Sequence, residues 1–175
     1  MRNGGRLLVE CLVALGATKG FGVPGESYLA VLDALHDTRG RLDFVVCRNE
    51  GGAAFMAAAW GKLTGSPGIC FVTRGPGATN AAIGVHAAMQ DSVPMLLLVG
   101  QVGTGMRGRE AFQELDHRAV FGTMAKWAVE IDDPARIPEF LARAWTTATT
   151  GRPGPVVVAL PEDMLTATTA APPLA

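Results

Sequence analysis

A three-layer α/β/α fold, with helices on both faces of a six-stranded parallel sheet, is predicted by three features of the sequence. Six short apolar runs alternate with helix-patterned stretches, and such strands pair in parallel beneath two helical layers. Glycine is abundant (22 residues) and aromatic side chains make up only 6 %, a mix that suits close helix-to-sheet packing better than a β-sandwich. Glycine-bearing turns follow the first three runs, at the strand ends where open α/β sheets place their ligands. Right-handed crossovers follow by default.

In chain order, Leu7 to Leu15 has one apolar face and is expected as the first helix, ended by Gly16 to Gly20. Phe21-Gly22-Val23 is a short buried strand, and Pro24-Gly25-Glu26-Ser27 its turn. Ser27 is expected to cap a helix from Tyr28 to His36 whose inner face carries Leu29, Leu32 and Leu35. Leu42 to Cys47 is the second strand, and Gly51 to Leu63 a helix rich in tiny residues. Ile69 to Thr73 is the third strand, followed by a glycine-proline loop, Arg74 to Asn80, that opens a helix through Met89. Met95 to Val99 is the most apolar strand. The polar segment Gly100 to Gly122 is expected to hold a helix around Arg109 to Leu115. Lys126 to Ile131 is a strand, Arg136 to Thr147 a helix entered through Asp132-Asp133-Pro134, and Val156 to Leu160 the last strand. Thr166 to Ala175 is small, polar and proline-bearing, and is expected as a linker or frayed end.

A chain of 175 residues is one domain of ordinary size, and at 49 % apolar residues it can build a real core. A formal net charge of −1 with no basic stripe argues against nucleic acid or a membrane surface as partner. Cys11, Cys47 and Cys70 lie in apolar contexts without a CxxC pair, so buried free thiols in a reducing compartment are expected. The first residues faintly mimic a signal peptide, but Glu10 interrupts the apolar region. No apolar run approaches the roughly 20 residues of a membrane span. A cytoplasmic protein is the expectation.

Chemistry is expected at three turns: Val23 to Ser27, Arg48 to Gly52, and Thr73 to Asn80. Gly25, Gly51, Gly75 and Gly77 would let a ligand approach the backbone there. Glu50, at a strand-to-helix junction, is the one carboxylate inside that set. The plainer reading is an acid in a first helical turn, favoured by the macrodipole. Gly103 to Gly108 matches GxGxxG, with Glu130 about 20 residues on, as a nicotinamide dinucleotide site requires. Its first glycine stands beyond the strand and a short charged segment follows, so a surface loop is preferred. His36, His86 and His117 are scattered, and no metal-ligand spacing occurs, so no metal ligand is assigned.

The ordered motifs Phe21-Gly22-Val23-Pro24-Gly25, Arg48-Asn49-Glu50-Gly51-Gly52-Ala53, Val72 to Asn80, Gln90-Asp91-Ser92-Val93-Pro94, Ala111-Phe112-Gln113-Glu114 and Gly151 to Val156 carry a resemblance. From Leu7 to Asp163 the chain resembles the N-terminal, pyrimidine-binding domain of thiamine-diphosphate enzymes of the acetolactate-synthase-like family. The resemblance implies the thiamine-diphosphate-binding, Rossmann-like version of the predicted fold. It implies that residues 1–165 form the pyrimidine-binding domain and 166–175 a linker to a middle domain. It implies that Glu50 activates the cofactor through the pyrimidine N1′, by general acid–base catalysis acting through the cofactor. Val23, Pro24, Gly25, Thr73, Pro76, Asn80 and Gln113 would border the cofactor or substrate. A 2-oxo acid would be decarboxylated, and the product joined to a second carbonyl.

The sequence departs from the commonest family pattern at Asn49 (usually histidine), Arg74 (usually serine) and Glu26-Ser27 (usually glycine and a small apolar residue). Acetolactate as the particular product is therefore not implied. No Gly-Asp-Gly occurs, so Mg2+ and the diphosphate would be held by a second domain, from a partner chain, across a homodimer or homotetramer. FAD would belong to a middle domain. The chain is expected to be a fragment ending in a spacer rather than a separate small subunit. The rival readings are a non-catalytic pairing module of the same fold and the dinucleotide domain.

Overall fold

The computed structural model describes residues 1–174; Ala175, the end of the expected spacer, lies outside the described residues. The elements in order are β1 (Arg2–Asn3), α1 (Gly4–Ala14), β2 (Lys19–Gly22), α2 (Leu29–Asp37), β3 (Asp43–Val46), α3 (Glu50–Thr64), β4 (Gly68–Thr73) and α4 (Arg74–Gln90). There follow β5 (Met95–Gln101), α5 (His117–Phe121), β6 (Trp127–Glu130), α6 (Ile137–Thr149), β7 (Pro155–Pro161), α7 (Glu162–Thr166) and β8 (Thr168–Thr169). Six of the strands form one parallel sheet in the order β3-β2-β4-β5-β7-β6, as predicted.

Alternation along the central strands divides the core in two. Ile69, Phe71, Leu96, Leu98, Val156 and Val158 face the layer of α1, α2 and α6, which is rich in leucine. Cys70, Val72, Leu97, Val99 and Val157 face α3 and α4, whose contributions are mainly alanine. Each fully buried leucine on the first face stabilises by roughly 1.5–3 kcal/mol. The second face gains closeness instead: a Cβ on Gly84 of α4 would stand 2.5 Å from the Ala54 Cβ of α3. The two helices that open at the candidate site therefore pack almost backbone to backbone.

Several local expectations are corrected. Helix α1 begins at Gly4, not Leu7, because Asn3 caps it by accepting from the Arg6 N–H (2.8 Å), and the glycine pair lets it touch α7 and α2. Ser27 caps nothing. It is buried in a 3-10 turn (Glu26–Tyr28) and its hydroxyl is spent on Thr73. Leu29 is 62 % exposed, and Val31, Ala34 and Leu35 form the inner face of α2, because the 3-10 turn rotates the start of the helix. Arg74 to Asn80 is not a loop: α4 starts at Arg74, with Pro76 in its first turn, where the missing N–H costs nothing. Tail residues Thr168–Thr169 pair antiparallel with Arg2–Asn3, while Ala171 and Leu174 pack against the core, so Thr166 to Leu174 is not frayed. Cys47 is half-buried, whereas Cys11 and Cys70 are buried.

No helix forms over Arg109 to Leu115. Side chains hold that segment instead. Glu114 accepts from the N–H groups of Gly108 (2.6 Å) and Ala111 (3.1 Å), and these bonds, the Gly108 one first, hold its carboxyl below the usual range. Arg107 pairs with Glu130 and Glu114. Gln101, fully buried, donates from Nε2 to the Leu115 carbonyl (2.7 Å). Glu110 and Gln113 adopt left-handed φ values of 53° and 64°, which a helix forbids.

His117 ends this segment. It is 3 % exposed, stacks on Phe121, and neither ring nitrogen has a partner. Burial, then the Arg107 charge, lowers its pKa from 6.5 to about 4 against the opposing pull of Asp116. The unfolded chain therefore takes up this proton first, so the stabilisation from a neutral His117 is complete above 6.5 and is lost as pH falls toward 4. Through this residue alone the protein should lose about 3 kcal/mol of stability over that window. H117F should flatten that part of the stability–pH profile measured by urea denaturation. An unchanged slope in H117F would contradict the assignment.

Candidate functional site

Strands β3, β2 and β4 are neighbours, so their carboxyl ends bring the three expected turns side by side. Glu50 is the first residue of α3, directly behind its cap Asn49, whose Oδ1 accepts from the Gly52 N–H (3.2 Å). Asn49 is thus suited to starting the helix at Glu50. Glu50 is half-buried as a residue, and its carboxylate accepts from the exposed Asn80 Nδ2 at 3.0 Å. Asn80 lies in the second turn of α4 and reaches Glu50 because the Gly84–Ala54 contact holds the two helices together. A Cβ on Gly77 would lie 3.5 Å from Glu50 Oε1, and one on Gly51 would lie 3.3 Å from the Asn80 carbonyl. Glycines therefore form the floor beside the carboxylate.

Thr73, the last residue of β4, shares a 2.6 Å hydrogen bond with Ser27 Oγ. A Cβ on Gly25 would stand 2.5 Å from the Thr73 Cβ, so only glycine lets the turn lie against the strand end. The Tyr28 hydroxyl donates to the Val23 carbonyl, and burial pushes its pKa up, keeping it a donor. Gln113 is carried to the same edge by its backbone, whose carbonyl accepts from the Gly75 N–H (2.9 Å).

The structure thus joins Glu50 directly to Asn80, Gly25 to Thr73, and Gln113 to the start of α4, where Pro76 is exposed. Val23 and Pro24 share the edge. Pro24 also lines a groove of about 610 Å³ between α2 and β3, which Glu50 does not reach. Among the described residues, no group of three or more His, Cys, Asp and Glu side chains is arranged to hold a metal. The Gly103 to Gly108 run opens only a 3-10 turn (Thr104–Met106), with Asp163 accepting from the Thr104 N–H at 3.0 Å. It lacks the helix that a dinucleotide fingerprint needs.

One cluster escaped sequence reasoning. Arg74 is 7 % exposed and pairs with Glu26 (3.1 Å) and Glu162 (2.8 Å). Arg74 and Glu26 stand out in the sequence singly, as departures from the family pattern. The available signal for their pairing was a basic residue in the first turn of a helix, where the macrodipole opposes it and a carboxylate partner is called for.

No helix among the described residues is long and apolar enough to cross a membrane. The family model "Thiamine pyrophosphate enzyme, N-terminal TPP binding domain" matches residues 2–120. The chain is 42 % identical over 165 residues to the acetolactate synthase isozyme 3 large subunit of Escherichia coli, covering 94 % of this chain and 29 % of that protein. It is 41 % identical over 163 residues to the acetolactate synthase of Bacillus subtilis, covering 93 % and 28 %. Against the mitochondrial acetolactate synthase catalytic subunit of Saccharomyces cerevisiae the identity is 38 % over 165 residues, covering 94 % and 24 %. The chain therefore spans less than a third of the length of these relatives. With its six-stranded parallel sheet and these matches, the chain belongs to the family of N-terminal thiamine-pyrophosphate-binding domains related to acetolactate synthase.

Proposed function

We propose that this domain binds the aminopyrimidine half of thiamine diphosphate and activates the cofactor through Glu50, within a longer enzyme acting on a 2-oxo acid. The observation that carries the reading is the Glu50 carboxylate at the carboxyl edge of the sheet, held at 3.0 Å by Asn80 beside a glycine floor. A flat heteroaromatic ring fits such a floor, where added Cβ atoms would intrude. When bound, the cofactor supplies a carbon acid whose conjugate base attacks the carbonyl of the 2-oxo acid. Glu50 would hold and return a proton at the pyrimidine N1′, the step in which a carboxyl group is useful. Asn80 would orient that carboxyl, and Thr73 with Gly25 would keep the Val23–Gly25 turn against the ring. Pro76 and Gln113 would border the cofactor or substrate.

In this reading residues 1–165 are the pyrimidine-binding domain and 166–175 lead toward a further domain. Mg2+ and the diphosphate would be bound by a diphosphate-binding domain of a partner chain. Any FAD would lie outside this domain. The acetolactate synthases among its relatives support decarboxylation with carboligation as the reaction class.

Pairing with a second copy, as a homodimer or homotetramer, is supported by Phe55, Met56, Leu63 and Ile83, exposed on α3 and α4. Sedimentation should show dimers of the wild type at micromolar concentration and a shift to monomer in F55D. A wild type that stays monomeric at high concentration argues against pairing. In the full-length enzyme, E50Q should fold normally yet slow deuterium exchange at the cofactor C2 by about 10²–10⁴-fold, the usual weight of a positioned acid–base group. Exchange at the wild-type rate in E50Q would refute the role of Glu50.

A further inference from the structure

We propose that Arg74 is a positioning residue that ties together the three separate pieces of this site. The inference rests on the cofactor reading above and goes beyond it, because Arg74 itself is given no contact with the cofactor.

The first observation is the chemistry of burial. The Arg74 side chain is 9 % exposed, its Nε has no partner, and its charge sits at the start of a helix whose dipole repels it. A cation is retained in such a place when its carboxylate partners are fixed around it. The second observation is backbone strain. Arg74 has φ +27°, outside the regions open to ordinary residues, and such a residue persists where its surroundings over-determine it.

The third observation is where the partners lie. Nη1 donates to Glu26, the residue after Gly25, and Nη2 to Glu162, the first residue of α7. Glu26 is thus bound to Arg74 and Ser27 to Thr73, two adjacent turn residues against two adjacent residues at the β4–α4 junction, in reversed order along the chain. On the other side, Glu162 is followed by Asp163, which anchors the Thr104 N–H and hydroxyl and so the near end of the segment that carries Gln113. One guanidinium therefore links the Val23–Gly25 turn, the start of α4 with Pro76 and Asp163's hold on the Gln113 segment. Arginine suits the task, since its planar fork serves two carboxylates at once and lysine's point charge does not.

Two readouts test the tie. Amide hydrogen exchange needs no cofactor. R74G, which removes the side chain and also relieves the φ strain, should raise exchange of the turn amides, above all that of Tyr28, whose N–H donates to the Gly25 carbonyl, about tenfold and leave the β5 and β7 amides unchanged. E26Q, altering a side chain that is 71 % exposed and so keeping the fold, should raise the same amides in the same direction. In the full-length enzyme, both variants should weaken thiamine diphosphate affinity, R74G by roughly tenfold. Exchange at the cofactor C2 under saturation should remain near wild type, and R74K should recover only part of the affinity. Unchanged turn amides in both R74G and E26Q would overturn the tie. So would wild-type affinity in both variants of an enzyme that binds the cofactor. A wild-type enzyme that binds no thiamine diphosphate would remove the cofactor reading, and the amide measurement would still decide the tie.

Discussion

The close approach of α3 to α4 is the constraint on which the site depends. Gly84 against Ala54, with alanines at positions 53, 57, 78 and 81, lets two helix backbones lie almost in contact. Glu50 and Asn80 are 30 residues apart in sequence and meet only because their helices converge there. A larger residue at any of these positions would cost stability through overpacking, typically 1–3 kcal/mol, and would also pull the carboxylate away from its partner. The layer carrying the site is thus built largely from small side chains, alanine and glycine on α3 and α4.

The opposite layer does different work. Leucine, isoleucine and phenylalanine between the sheet and α1, α2 and α6 supply the bulk of the apolar burial. The carboxyl edge can therefore carry features that weaken it locally. These include a neutral buried histidine without hydrogen bonds, a strained arginine, and a segment held by glutamates instead of by helix or sheet.

The sheet and its parallel pairing were legible because the buried central strands β4, β5 and β7 read as continuous apolar runs and the remaining strands alternate with helices. The three site turns were legible for the same reason, since strand ends follow from strand positions. What was misread lies where tertiary contacts override local pattern. Ser27 looks like a helix cap but finds Thr73 across the chain. Gly75-Pro76-Gly77 looks like a loop, yet proline tolerates a first helical turn, and Gly75 there lies against the Gln113 carbonyl. Arg109 to Leu115 has helical composition, but Glu114 spends its carboxylate on two backbone amides, and Glu110 and Gln113 take left-handed φ values. The Thr166 to Leu174 tail reads as a frayed end because its pairing with Arg2–Asn3 joins opposite ends of the chain. The Glu26–Arg74–Glu162 group joins residues far apart in sequence, so the arginine in a first helical turn signalled a carboxylate partner without saying which one.

In the proposed function Glu50 holds a proton at the cofactor's pyrimidine ring. The most direct measurement is the 15N chemical shift of N1′ in thiamine diphosphate labelled at that nitrogen and bound to the full-length enzyme with Mg2+. The account predicts a shift moved toward the protonated value in the wild type and returned toward the free cofactor's in E50Q. A wild-type shift equal to that of the E50Q complex would contradict it.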